Sequence, residues 1–266
     1  TLSFGPSGTF DKNSQFFVYE CDEFDRNFLH FSPEISLITS VDYDHPDTYP
    51  TKESYLDAFR EFGEKSKKVI AWQENSAIFD EKNLTILYDS NKSITLPGEH
   101  NRKNATLVIE ALKNIGVDAE ELEIYQAINS FPGSGRRFEK LAENLYSDYG
   151  HHPVEIQATL QMAKELSDDV VLVYQPHQNV RQHEIIDQYT DDIFRDANKI
   201  YWLPTYLTRE NPDLPTLTPQ QLAKNIDKEK VHFAELDDSL WQEVTAARNS
   251  GKLVLCMGAG TIDGWI

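Results

Sequence analysis

Two acidic runs, and a later set of histidines, arginines and tyrosines, hold most of the groups in this sequence that could do chemistry. Glu20, Asp22, Glu23 and Asp25 crowd together, as do Asp42, Asp44, His45 and Asp47. If each run closes a strand, neighbouring strand ends stand about 5 Å apart. One carboxylate and one imidazole could then share a divalent cation, with water and a substrate phosphate in the remaining positions. In a chain this acidic, a pair of solvated turns is the competing reading.

The second set falls in SDYGHHP, with Asp148, Tyr149, His151 and His152, and in QPHQNVR, with His177 and Arg181. Adjacent histidines on a turn point in different directions, so they do not suit one zinc ion, and no HExxH occurs. One imidazole capping the helix that Pro153 begins is the alternative. Arg136 and Arg137 lie in the glycine-bearing turn FPGSGRRFE. Paired guanidiniums beside flexible backbone suit an oligophosphate or carboxylate, since the planar fork donates two parallel hydrogen bonds; an ion pair with Glu139 is the plainer use. Gly258, Ala259 and Gly260 give only a GxGxxxG spacing, a weak match to a dinucleotide fingerprint. Neither GxxxxGK followed by Ser or Thr nor GxSxG occurs in these residues.

These groups need elements to position them. Phe16 to Tyr19 reads as a buried strand ending in the first acidic run, and Ile35 to Val41 as a strand ending in the second. Helical spacing of Tyr55, Leu56, Phe59 and Phe62 follows, with Thr51 as N-cap. Short strands are expected at Lys68 to Trp72 and Leu84 to Tyr88, and GEHNRKNA opens a helix. From about Phe138 the pattern changes: apolar runs at Val170 to Tyr174, Ile200 to Leu203, Val231 to Phe233 and Leu253 to Met257 alternate with amphipathic stretches. That pattern predicts a parallel sheet with helices on both faces, binding ligands beyond the carboxyl ends of its strands. The change near Gly133 to Arg137 divides the chain into domains at 1–135 and 136–266.

Composition sets limits on partners. Lys and Arg number 25 against 44 Asp and Glu, a net charge of −19 over 266 residues. Without a basic face, no affinity for nucleic acid or an anionic membrane is expected. Two cysteines, Cys21 and Cys256, exclude a disulfide framework and any four-cysteine zinc site, which fits a reducing cytoplasm. The apolar runs are strand-sized and too short to span a bilayer. The start at Thr1, with neither Met nor a signal-peptide pattern, suggests an incomplete chain.

Taken in order, ECDEFD with FLHFSP, DHPDTYPTKESYLDAF, GEHNRKNA, FPGSGRRFE, SDYGHHPVEI, YQPHQNVR and GAG resemble the Mur ligase family of peptidoglycan synthesis from about Phe16 to Gly260. The resemblance implies an α/β chain: the second part of a Mur-type central ATPase domain, then a Rossmann-like parallel-sheet carboxy-terminal domain. The family's UDP-binding domain and phosphate loop have no counterpart in it. The implied reaction is ATP-dependent amide formation through an acyl phosphate, with UDP-N-acetylmuramate and an amino acid, L-alanine by closest resemblance, as partners and ATP and Mg2+ as cofactors. A non-catalytic nucleotide- or sugar-binding remnant, or a ligase adding a peptide to the same sugar nucleotide, is the alternative. By resemblance Glu20 and His45 are the magnesium ligands, Asn101 and Asn104 contact adenine, Arg137 faces the ATP phosphates, and Asp148 contacts the nucleotide. Tyr149, His151 and His177 line the muramoyl and amino-acid site, Arg181 holds the incoming carboxylate, and His151, His177 and Arg137 form the catalytic set. Two departures stand out: Ser40 follows Thr39 where the family has Asn, and Gln178 replaces the first arginine of PHRxxR.

Overall fold

The computed structural model describes residue 8 and residues 11–46, 48–117 and 122–266. Asp47, the last acid of the second run, lies outside the described residues. The described residues of the chain divide into two compact units, one within 8–96 and 100–131, the other comprising 97–99 and 132–266.

The first unit is a three-stranded parallel sheet in the order β1-β2-β3, formed by Ile35–Ile38, Lys68–Trp72 and Leu84–Leu87. Its helices are α1, Lys52–Lys65, α2, Glu99–Asn114, and α3, Leu122–Asn129. Helix α1 starts as its sequence predicts. The Thr51 hydroxyl accepts the Ser54 N–H at 3.1 Å and the Ser54 hydroxyl accepts the Thr51 N–H at 3.2 Å, which satisfies two of the orphan donors of a first turn. Tyr55, Phe59 and Phe62 then recur on one face and bury against Phe28, Val69 and Ala71.

The expected strand at Phe16 to Tyr19 does not form. These residues join no strand, and they are 48%, 72%, 93% and 46% exposed. An apolar run becomes a buried strand only where a neighbour takes its backbone groups and both faces are covered; among the described residues the sheet begins at β1. The acidic run after it therefore leads into a 3-10 turn, Phe24–His30, in which Asp25 and Arg26 take left-handed backbone angles. The second strand is also shorter than expected, ending at Ile38, four residues before Asp42.

The second unit is a six-stranded sheet in the order β4-β5-β9-β6-β7-β8. Its strands are β4, Glu139–Ala142, β5, Leu145–Asp148, β6, Val170–Tyr174, β7, Lys199–Trp202, β8, Val231–Phe233, and β9, Leu253–Met257. All neighbours run parallel except β4 with β5. The helices are α4, Pro153–Leu166, α5, Asn179–Ile185, α6, Pro219–Leu222, α7, Asp238–Asn249, and α8, Ile262–Trp265. Every residue of β6 and β9 is buried, as expected of strands covered on both faces. Val170, Leu172, Tyr174, Leu253, Leu255 and Met257 enter one core, and Val171, Val173, Val254 and Cys256 enter the other. This is the alternation of a pleated strand between two layers. No helix among the described residues is long and apolar enough to cross a membrane.

Candidate functional site

Register places the last residues of four strands in a row: Asp148 opposite Met257, Met257 opposite Tyr174, and Tyr174 opposite Trp202. The loops that leave these ends carry Tyr149, His151, His177, Arg181 and Gly258 to Gly260. This is the carboxyl edge at which open parallel sheets bind ligands.

The turn after β5 is built on Asp148. Its two carboxylate oxygens accept the N–H groups of Gly150 at 2.7 Å and Phe138 at 2.8 Å, and the residue is buried. Burial raises its pKa, while those two N–H donors and Arg137 pull it back, leaving it above the ordinary carboxylate value. Turned inward in this way, the expected nucleotide contact spends both oxygens on backbone and fixes the direction in which Tyr149 and His151 leave the strand. Glu155 fixes the next step by accepting the N–H groups of His151 at 2.9 Å and His152 at 3.0 Å. Burial works to raise the Glu155 pKa; the His151 imidazole, the two N–H bonds and Arg137 outweigh it, and the carboxyl lies below its usual value.

His151, His177 and Arg181 come together. The rings of His151 and His177 are 5.3 Å apart, and Arg181 Nη1 is 2.6 Å from His151 Nε2. Arg181 therefore projects from the first turn of α5 toward the β5 loop rather than flanking its helix. The His177 ring stacks on Tyr206 at 5.7 Å. Burial, His151 and Arg181 hold the His177 pKa down to about 4, against a small upward pull from Glu210, so this imidazole is neutral at physiological pH. Gln178, in the place of an expected cation, has a left-handed backbone with φ of 59°. Its N–H bonds the Tyr206 carbonyl at 2.9 Å.

Both paired arginines lie over the Tyr149 ring, Arg136 at 4.8 Å and Arg137 at 5.6 Å. Arg136 also pairs with Asp263 at 3.0 Å and reaches the Gly258 carbonyl at 3.3 Å, while its backbone N–H goes to Glu139 at 2.7 Å. The GAG run serves packing. A Cβ on Gly258 would fall 2.7 Å from the Gln175 carbonyl oxygen, and one on Gly260 would fall 2.5 Å from Gln175 Oε1 and 2.6 Å from Tyr206. Close approach of three loops demands these glycines.

The remaining candidates belong to the other unit. Asn101 and Asn104 line an open groove of about 430 Å³ whose other walls are Leu96, Ala105, Val108, Ala127, Ile128 and Phe131. Apart from the two carboxamides this lining is apolar. The metal candidates do not converge. His45 Nε2 lies 3.7 Å from Glu23 and 3.8 Å from Asp44, Glu20 is exposed and makes no ion pair with it, and no group of three or more His, Cys, Asp and Glu among the described residues is arranged to hold a metal.

Sequence reasoning passed over Glu155, Tyr206 and Glu210. Glu155 stands three residues after His152 in the spacing of a capping box, so it was open to detection. Glu210 was not: its carboxylate accepts the N–H groups of Asn179 at 3.0 Å and Val180 at 3.2 Å from a loop about thirty residues away.

The Rossmann-like sheet that carries this strand-end cluster lies within the stretch matched by a Mur ligase domain model. Residues 136–260 of the chain match the family model described as Mur ligase, glutamate ligase domain, so this part is a Mur ligase carboxy-terminal domain. The chain is similar to the UDP-N-acetylmuramate–L-alanine ligase of Rickettsia felis, with 30% identity over 94% of this chain and 64% of that protein. The enzyme of the same name from Gloeobacter violaceus is 28% identical over 92% of this chain and 61% of its own length. The chain thus spans less than two thirds of these relatives. In fold it is similar to the UDP-N-acetylmuramate-alanine ligase of Thermotoga maritima, with a TM-score of 0.63 and 22% identity, covering 89% of this chain and 59% of that one.

Proposed function

We propose that the chain forms part of an ATP-dependent amide ligase of peptidoglycan precursor synthesis that joins an amino acid, L-alanine, to UDP-N-acetylmuramate. The observation that carries this reading is the Arg181–His151–His177 cluster at the strand ends, together with the names of the relatives it resembles. Such a ligase moves the γ-phosphate of ATP to the muramoyl carboxylate, and the amine of the amino acid then attacks the acyl phosphate through a tetrahedral intermediate. The work is mainly positioning and charge neutralisation. Arg181, oriented by His151, holds the amino-acid carboxylate. His177, neutral and stacked on Tyr206, gives the incoming amine an uncharged neighbour, so the amine is not driven away by a second cation. Arg137 faces the phosphates, and the Asn101–Asn104 groove takes the adenine. ATP and Mg2+ are the cofactors of this chemistry, although Glu20 and His45 by themselves do not build a magnesium site.

The test is a chimera in which residues 11–266 replace the matching part of the Rickettsia felis ligase. Phosphate release that requires both UDP-N-acetylmuramate and L-alanine is expected. A folded chimera that binds ATP but releases no phosphate on adding both substrates would count against the reading. The 266 residues alone, with no GxxxxGK loop to cradle the β- and γ-phosphates, should stay at background.

A further inference from the structure

Behind the cluster lie two tyrosine hydroxyls and a carboxamide that the reading above leaves unused. Tyr174, Tyr189 and Gln182 each have 0% exposure. The Tyr174 hydroxyl is 3.0 Å from the backbone carbonyl of His151 and 2.8 Å from the Tyr189 hydroxyl. The Tyr189 hydroxyl in turn is 2.8 Å from Gln182 Oε1, and Gln182 Nε2 donates to the carbonyl of His177 at 2.9 Å. A carbonyl can only accept, which fixes the carboxamide with its nitrogen toward His177 and its oxygen toward Tyr189. One chain of polar groups therefore runs from the backbone of His151 to that of His177.

The core does not need those hydroxyls. The rings of Tyr174 and Tyr189 pack on Trp202 at 5.0 and 5.2 Å and on Phe194 at 6.3 and 6.0 Å. Phenylalanine would keep that packing without the cost of burying a polar group. The proton count is also short. Burial raises both phenols well above their ordinary value, so each keeps its single proton, and two protons must serve three oxygen–oxygen contacts. When both point toward His151, Gln182 Oε1 receives none; when both point toward Gln182, the His151 carbonyl receives none; and when each points to its own end, the 2.8 Å contact between the hydroxyls has none. The two histidine-bearing loops share one pair of protons.

We infer that Tyr174, Tyr189 and Gln182 are positioning residues that couple the backbone of His151 to that of His177 and so set the spacing of the two imidazoles. The inference rests on the assignment of both histidines to the site. Its test reads the imidazoles themselves and not turnover, so its failure is distinct from a failure of the ligase reading.

The experiment is 15N NMR of the histidine rings in the 266-residue chain, unmodified and as Tyr189→Phe, Tyr174→Phe and Gln182→Met. Tyr189 bonds to neither histidine, yet Tyr189→Phe should shift the ring resonances of both His151 and His177. Tyr174→Phe should shift His151 more, and Gln182→Met should shift His177 more. A change confined to one ring in Tyr189→Phe, or a lower melting temperature with both rings unmoved, overturns the coupling. In the unmodified protein, the hydroxyl protons of Tyr174 and Tyr189 should exchange slowly enough to be observed. Loss of both to rapid exchange overturns the inference even if no variant folds.

Discussion

Arg181 donates to His151 across thirty positions of sequence, Nη1 to Nε2 at 2.6 Å. A guanidinium has no lone pair to offer, so this contact is made by the neutral ring, with Nε2 accepting and Nδ1 giving its proton to the Tyr149 carbonyl at 3.2 Å; the pull of His151 on Glu155 and His177 belongs to the ring once it is protonated. The imidazole thus serves as a fixed acceptor that aims the arginine. The Tyr149 carbonyl in turn holds the ring, while Glu155 and Asp148 hold the backbone around it.

If Arg181 is the cation that meets the amino-acid carboxylate, its loss removes a hydrogen bond to a charged group, worth about 1.5 to 3 kcal/mol. In the active chimera, Arg181→Ala should raise the KM for L-alanine roughly ten- to a hundredfold and leave that for ATP nearly unchanged. Steady-state kinetics with each substrate varied in turn will show this; equal effects on both constants would take Arg181 out of the site.

Asp148→Asn keeps the shape of the side chain but has one oxygen for two backbone donors. One of the N–H groups of Phe138 and Gly150 then faces an amide NH2, and an unpaired buried donor costs about 1 to 3 kcal/mol. Urea denaturation should show a loss of that size, and an unchanged midpoint would mean the turn does not depend on the carboxylate.

The depressed pKa of His177 has a pH signature. In the unfolded chain this imidazole takes a proton near 6.5, whereas in the fold it does so only near 4. Between those values the unfolded state binds more protons, so the contribution of His177 is complete above about 6.5, falls as the pH drops toward 4, and is absent below it. Stability curves between pH 4 and 7 should therefore be flatter for His177→Gln than for the unmodified chain. Parallel curves would contradict the assignment.

Gly260 leaves no room for a methyl group. A Cβ would lie 2.5 Å from Gln175 Oε1 and 2.6 Å from Tyr206, and relieving such overlap costs typically about 1 to 3 kcal/mol. Gly260→Ala should lower thermal stability, whereas Gly264→Ala, which meets nothing within 4 Å, should cost far less. Equal losses from the two substitutions would indicate that the loops have slack.

Continuous apolar runs bounded by polar turns make β6 and β9 legible in the amino-acid sequence, because a strand covered on both faces has no reason to alternate. Thr51 with Ser54 announces α1 in the same local way. Phe16 to Tyr19 misleads for a related reason: its composition satisfies a buried strand, but pairing is a property of the neighbour and not of the run. In the site, residue types are legible and their partners are not. Nothing within SDYGHHP says that Asp148 turns inward while His151 turns out; that depends on Phe138, ten residues earlier, presenting its N–H. Arg181 facing His151 likewise follows from the placement of β5 and β6 on either side of β9, which the order of the runs along the chain does not reveal.

The place of β9 also governs how the second unit can assemble. It is the last of the six strands to be synthesised, yet it sits between β5 and β6 and pairs with both. Residues 145–148 and 254–257 meet only after more than a hundred intervening residues exist, a loop closure of high contact order. Until then the chain can hold β6, β7 and β8 together, but β5 with its histidine-bearing turn has no parallel neighbour. A nascent or truncated chain ending before Leu253 would expose the edges of β5 and β6 for pairing with other chains. The same insertion that assembles the site makes the final strand the step on which solubility of the whole unit depends.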